Sequence, residues 1–191
     1  MATSITLPKV VGIGGKRRHG KDAAAELLAS RFGYVIIGCS DVLDHFARIQ
    51  NPIVEGTRRY VDVVDDLGFV AAKKHPEVLN ILIKTGEALR TTYVADIIAN
   101  YVEQQILDHL AAGRPVIVTG IRFLIEVALI ERLGGITIYV IRPTEPVDTV
   151  ALTENSVASD DFMAVLMNDG SLEDLAGNAR DILTQNWGLA A

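Results

Sequence analysis

One lysine follows two glycines at a spacing that lets backbone and side chain act together. Gly15-Lys16-Arg17-Arg18-His19-Gly20-Lys21 has the form G-x4-G-K. It comes straight after the apolar run Val10 to Ile13. It opens a stretch, Asp22 to Phe32, in which Ala24, Leu27, Leu28 and Phe32 recur at helical spacing. Glycines let the backbone curl until successive N–H groups converge on one anion. A helix N-terminus adds partial positive charge at the same spot. Lys21 brings a point charge to the outer phosphates of a nucleotide. The chemistry on offer is a grip on a polyphosphate by residues 15–21; the competing reading is a glycine-rich turn with solvated lysines.

The next residue, Asp22, stands where such a loop usually has Ser or Thr to hold Mg²⁺. A carboxylate beside phosphates is repelled unless a cation lies between them. Asp22 either binds Mg²⁺, directly or through water, or turns away and stabilises the helix N-terminus. Arg122 and Arg142 follow apolar runs, Val116 to Val118 and Ile136 to Ile141. Each can neutralise charge spreading over a transferred phosphoryl group; the alternative is a surface charge or salt bridge. Asp41 follows the second strand and can receive a proton or help to hold the cation, with helix capping by Ser40 and Asp41 as its rival. Glu87 and Arg90, three apart, share a helix face. They form an ion pair, or Arg90 offers its fork to a monophosphate. Asn168 and Gly170, after the fifth apolar run, set backbone groups near an adenine or make a plain turn. His19, His45, His75 and His109 lack metal-ligand spacing, and the lone Cys39 reads as a small buried residue at a strand end.

The elements that must hold these groups alternate along the chain. Strands are expected at Val10–Ile13, Tyr34–Ile37, Val116–Val118, Ile136–Ile141 and Phe162–Met167. Helices are expected at Asp22–Phe32, Asp41–Ile49, Tyr60–Lys74, Glu77–Thr92, from Val94 to near Gly113, Phe123–Leu133 and Ser171–Asn186, the last with Ser171 as N-cap. Residues 50–59, with Pro52 and Gly56, read as a loop. Residues 143–160 are polar and read as a mobile segment. Strands alternating with helices imply a parallel sheet covered on both faces, and the continuous apolar runs fit strands buried on both sides. Ligands then bind beyond the C-terminal strand ends, where the loop, Asp41, Arg122, Arg142 and Asn168 all fall.

Composition narrows the function classes. The 191 residues suffice for one domain with a substantial core. The net charge is −6, and residues 143–191 carry Arg180 alone against nine Asp and Glu. An acidic chain without a basic face is a poor nucleic-acid binder. No apolar run is long enough for a transmembrane helix, no signal peptide is recognisable, and a cytoplasmic protein is expected. Since no Lys or Arg occurs from Thr144 to Ala179, cationic work must fall to Lys16, Arg17, Arg18, Arg122 and Arg142.

The string Gly-Gly-Lys-Arg-Arg-His-Gly-Lys-Asp resembles the phosphate loop of the phage-type deoxynucleoside monophosphate kinases; animal phosphomevalonate kinases look similar there. Other segments resemble the nucleotide kinases. They are Leu82 to Ile98 with Thr85-Gly86-Glu87 and Arg90, Thr119 to Glu126, Arg142-Pro143, the lid-like Glu154-Asn155-Ser156 and Asp160-Asp161-Phe162, and Asn168 to Leu175, a segment those kinases share with dephospho-CoA kinases. The chain departs from the family at Gly120, where an Asp supports the Mg²⁺ shell, and at Ile125, where Asn is usual. The resemblance implies a P-loop NTPase three-layer α/β sandwich: a five-stranded parallel sheet, helices on both faces, and a helical acceptor-binding insertion. It implies a single domain over 1–191, with the acceptor region at about 40–112 and a lid at about 143–160. The implied activity is phosphorylation of a (deoxy)nucleoside monophosphate by ATP with Mg²⁺. Lys21, Arg122, Arg142 and Asp41 would be catalytic. Residues 15–22, Asn168 and Gly170 would bind ATP, and Asp22 the metal. Asp41, Gly86, Glu87, Arg90, Arg122 and Glu126 would bind the acceptor. Kinases of another phosphorylated metabolite, or a nucleotide-binding protein without catalysis, are the alternatives; a homodimer is left open.

Overall fold

The computed structural model describes residues 7–93, 96–144 and 156–185. In chain order the elements are β1 (Val10–Gly15), α1 (Lys21–Phe32), β2 (Val35–Gly38), α2 (Cys39–Gln50), β3 (Ile53–Glu55), β4 (Arg58–Arg59), α3 (Tyr60–Leu67), α4 (Phe69–Ala72), α5 (Pro76–Thr92), α6 (Ile97–Ala111), β5 (Val116–Ile121), α7 (Leu124–Arg132), β6 (Ile136–Ile141), β7 (Ala164–Met167) and α8 (Leu172–Leu183). Two compact units emerge: residues 1–38 with 103–191, and residues 39–102.

The first unit holds a five-stranded sheet in the order β2-β5-β1-β6-β7, with every neighbouring pair parallel. β1 lies in the middle because its run Val10 to Gly14 is wholly buried, so both of its faces need cover. Alternation along the strand assigns the layers. Val11 and Ile13 join one core with Ala24, Ala25 and Leu28 of α1 and Leu175, Ala179 and Leu183 of α8. Gly12 points the other way: a Cβ there would lie 2.5 Å from Ile121 Cδ1 and 2.9 Å from Ile130 Cγ1 of α7. One face therefore carries α1 and α8, and the other carries α7, giving the expected three-layer α/β sandwich. Each fully buried Ile or Leu in these layers contributes about 1.5–3 kcal/mol.

The strand order also fixes where a ligand fits. From β1 the chain crosses to β2, returns to β5 beside β1, and then continues on the other side of β1 with β6. That reversal opens a crevice at the C-terminal end of β1, between β5 and β6.

The second unit is mainly helical. Its core gathers Ala47, Val54, Tyr60, Val63, Val64, Ala72, Val78 and Leu82. Several details differ from the expectations. The expected loop 50–59 contains a small antiparallel hairpin, β3 with β4. The expected helix Tyr60–Lys74 is broken at Gly68, whose φ of 77° and ψ of 146° no helix accommodates. Phe162 is not in β7. It follows a short 3₁₀ turn, Ser159–Asp161, and its ring packs edge-on to Tyr139 at 5.1 Å. Cys39 is the first residue of α2, and it is buried. Val94, Asn186 and most of the expected lid, including Glu154 and Asn155, lie outside the described residues. Among the described residues no helix is long and apolar enough to cross a membrane.

Candidate phosphate site at the end of the central strand

The G-x4-G-K segment joins β1 to α1 at the crevice. Gly15 has φ of 140°, and a Cβ on it would meet the Val140 carbonyl oxygen at 2.6 Å. β6 passes too close for any other residue. The chain then turns over Lys16 to His19, with the His19 N–H donating to the Lys16 carbonyl at 3.2 Å. Arg17 and Arg18 ride exposed on this turn. Arg18 takes φ of 66°, left-handed backbone that costs a non-glycine residue about 1 kcal/mol. Strain of this kind persists where the surroundings over-determine it. Gly20, at φ of 91°, precedes α1 with no side-chain cap. The first N–H groups of α1 lack intrahelical partners, which leaves them available as donors at the end of β1. The Lys21 side chain is only 12% exposed, with its ammonium 3.7 Å from the carboxylate of the largely exposed Asp22.

His19 turns inward. Its side chain is 4% exposed. Its Nδ1 accepts from the Arg142 N–H at 3.3 Å, and its carbonyl accepts from the Asn168 side-chain amide at 2.9 Å. The Asn168 N–H in turn donates to the Ile141 carbonyl at 2.8 Å. Three hydrogen bonds thus close a ring through the loop, the end of β6 and the residue after β7. The ring explains Gly20 as well, since a Cβ there would lie 2.3 Å from Asn168 Nδ2. Residue order puts His19 in the loop without assigning its ring a task, and suggests backbone groups rather than the amide of Asn168 at that strand end. The signal was local: an imidazole among cations, and an amide directly after an apolar run.

The two arginines bracket the loop. β1 pairs Gly14 with Ile121 of β5 and Gly15 with Val140 of β6. Arg122 and Arg142 therefore leave the sheet on either side of the β1 terminus. Arg122 is half-buried, and Arg142 is exposed. Glu126, expected to touch an acceptor, is 4% exposed. Its carboxylate accepts the N–H groups of Arg122 at 2.8 Å and Phe123 at 3.2 Å. It secures the turn from β5 into α7, as an acid at a helix start does. Asn168 is buried, and Gly170 lies exposed before α8, where Ser171 and Asp174 form the expected cap.

The remaining candidates belong to the second unit. Asp41 is exposed in the first turn of α2, and the neighbouring Ser40 hydroxyl accepts from Lys73 Nζ at 3.4 Å. Gly86 is buried in α5, and Arg90 lies back along the helix with Nη1 donating to the Gly86 carbonyl at 3.3 Å. Glu87 is exposed on the same helix.

Among the described residues no three His, Cys, Asp or Glu side chains gather closely enough to hold a metal. Mg²⁺ commonly binds through one or two carboxylates plus substrate phosphates and waters. Asp22, exposed at the loop's end, fits that sparse donor set.

No protein-family model matches the chain, and no curated protein sequence does. Some solved structures are similar to it. TT1252 from Thermus thermophilus shares 24% identity over 93% of this chain and 97% of its own, with a TM-score of 0.48. A dephospho-CoA kinase from Campylobacter jejuni shares 12% over 91% and 95%, with a TM-score of 0.47. A shikimate kinase from Acinetobacter baumannii, solved with shikimate, shares 15% over 96% and 96%, with a TM-score of 0.48.

Proposed function

We propose that the protein is a P-loop kinase that transfers the terminal phosphoryl group of ATP to a nucleoside or deoxynucleoside monophosphate. The observation that carries this reading is the loop itself. A G-x4-G-K turn joins the central parallel strand to a helix N-terminus at the sheet's crevice, with an arginine leaving the neighbouring strand on each side.

In this reading the amides of residues 15–21 hold the β- and γ-phosphates, and Lys21 neutralises charge on them. An oxygen of the acceptor phosphate attacks the γ-phosphorus. The bond from that phosphorus to the β–γ bridging oxygen breaks, and ADP leaves with the electron pair. Arg122 and Arg142 offset the charge that spreads over the transferred group. Mg²⁺ bound with the nucleotide would supply further charge neutralisation, and Asp22 would hold it. The acceptor is already anionic near neutral pH, so little base assistance is needed. The resemblance to nucleotide kinases assigns acceptor binding to Gly86, Glu87 and Arg90, with Asp41 beside them in the assignment.

The test is direct. Purified protein is given ATP, Mg²⁺ and a panel of ribo- and deoxynucleoside monophosphates, with non-nucleotide phosphomonoesters as a second arm. Diphosphate formation from at least one nucleotide is expected. Turnover confined to the second arm would replace the acceptor class; ADP from neither would overturn the kinase reading.

A further inference from the structure

We propose that His19 is a positioning residue: its imidazole locks the phosphate loop to the end of β6 and sets where Arg142 begins, with Asn168 closing the lock. The inference rests on the kinase reading for its catalytic consequence, and on the geometry alone for the lock.

A ring nitrogen that accepts from a backbone N–H carries no proton, so Nε2 carries it. Nε2 is buried and has no hydrogen-bond partner among the described residues. A buried donor left unpaired is destabilising, and a small or apolar side chain would avoid that loss. The compensation lies at Nδ1, whose bond to Arg142 spans 123 positions of sequence. The Asn168 amide bond to the His19 carbonyl spans 149. Neither bond stabilises local secondary structure; both fix the loop against strand ends.

Arg142 is the residue that gains. It is the last Lys or Arg before Arg180, so the segment that follows it cannot replace its charge over the phosphates. Its N–H is held by the loop, and that sets where its side chain departs. A guanidinium aimed at charge developing during transfer acts through preorganisation, which small displacements erode.

Two substitutions of similar size separate the nitrogens. In His19→Asn the amide oxygen can stand where Nδ1 stands and still accept from Arg142. In His19→Gln the amide reaches toward the Nε2 position instead. His19→Asn is expected to lose less in kcat than His19→Gln, because its oxygen still accepts from Arg142. His19→Gln is expected to lose about tenfold in kcat, the scale of one hydrogen bond, with the KM for ATP changed less than about threefold. Placed on Arg142→Ala, the two variants should differ from each other by less than about twofold. Amide hydrogen exchange at Arg142, followed by NMR without substrates, should stay slow in the parent and in His19→Asn, and quicken about tenfold in His19→Gln. A His19→Gln protein with parental kcat, or with an unchanged Arg142 amide, overturns the proposal. If the parent itself transfers no phosphoryl group, the kinase reading fails separately, and the Arg142 amide still decides the lock.

Discussion

The two compact units hold their candidate groups by different means. In the sheet unit the groups hang from strand ends whose spacing the parallel ladder sets, and the loop between them is pinned by bonds to distant sequence. In the helical unit a polar network is built around Asp44. Asp44 accepts from Arg48 Nε at 2.8 Å and from the Tyr60 hydroxyl at 2.9 Å, and Arg48 also reaches Asp65 at 2.7 Å. Burial, with the Asp44 hydrogen bond adding to it, pushes the Tyr60 hydroxyl far above its ordinary pKa. Arg90 lies on a carbonyl of its own helix. The contrast separates a loop fixed by bonds to distant sequence from an arginine whose guanidinium is held by its own helix.

The sharpest way to break this contrast is to remove the loop's point charge. Lys21→Ala should lower kcat/KM on the order of a thousandfold while moving Tm by less than about 2 °C. A variant within tenfold of the parent in an ADP-coupled assay would show that the loop does not grip the transferred group.

Glycine substitutions compare the units on equal terms. Gly20→Ala introduces a Cβ 2.3 Å from Asn168 Nδ2 at a positive φ, and should destabilise the protein by about 2 kcal/mol in urea unfolding. Adding Asn168→Ala should recover part of that loss, because the two changes share one contact. Gly86→Ala lies in regular helix, and its nearest neighbour, the tip of Arg90 at 3.1 Å, can move. It should be stabilising by about 0.5–1 kcal/mol. Equal losses at both glycines would erase the distinction.

Smaller effects refine it. Tyr60→Phe removes the donor to Asp44 and should cost about 1 kcal/mol. The smallest effect concerns the cap of α8. Bonds from the Ser171 hydroxyl and backbone hold the Asp174 carboxyl below the usual carboxylate range. A depressed folded pKa stabilises above the unfolded value, about 3.9, and that stability disappears as pH falls through the folded value. Asp174→Asn should therefore melt below the parent at pH 7, and the gap should close as pH falls through the folded value. A gap of constant size would assign the effect to shape instead of charge.

Much of this architecture was legible in residue order. Buried strands need continuous apolar runs, and Val10 to Ile13, Val116 to Val118 and Ile136 to Ile141 have them. The loop was legible because glycines and a lysine at fixed spacing have few other uses between a strand and a helix. The break at Gly68 was less so, since one glycine within a periodic pattern is often tolerated. Phe162 looked like strand because aromatic residues favour strands; its packing against Tyr139 is a tertiary preference. The acceptor role of Glu126 rests on the family resemblance; its burial and the two N–H groups it satisfies depend on the turn between β5 and α7 and are not legible in the sequence.

By itself, the sequence determined the alternation of strands and helices, the place of the G-x4-G-K loop and the shortage of cations after Arg142, because these depend on residue types and near neighbours. The tertiary structure alone decided that β1 is central, that Arg122 and Arg142 flank it, and that His19 and Asn168 fasten the loop. Those contacts join residues more than 100 positions apart, and no local periodicity encodes which strand lies beside which.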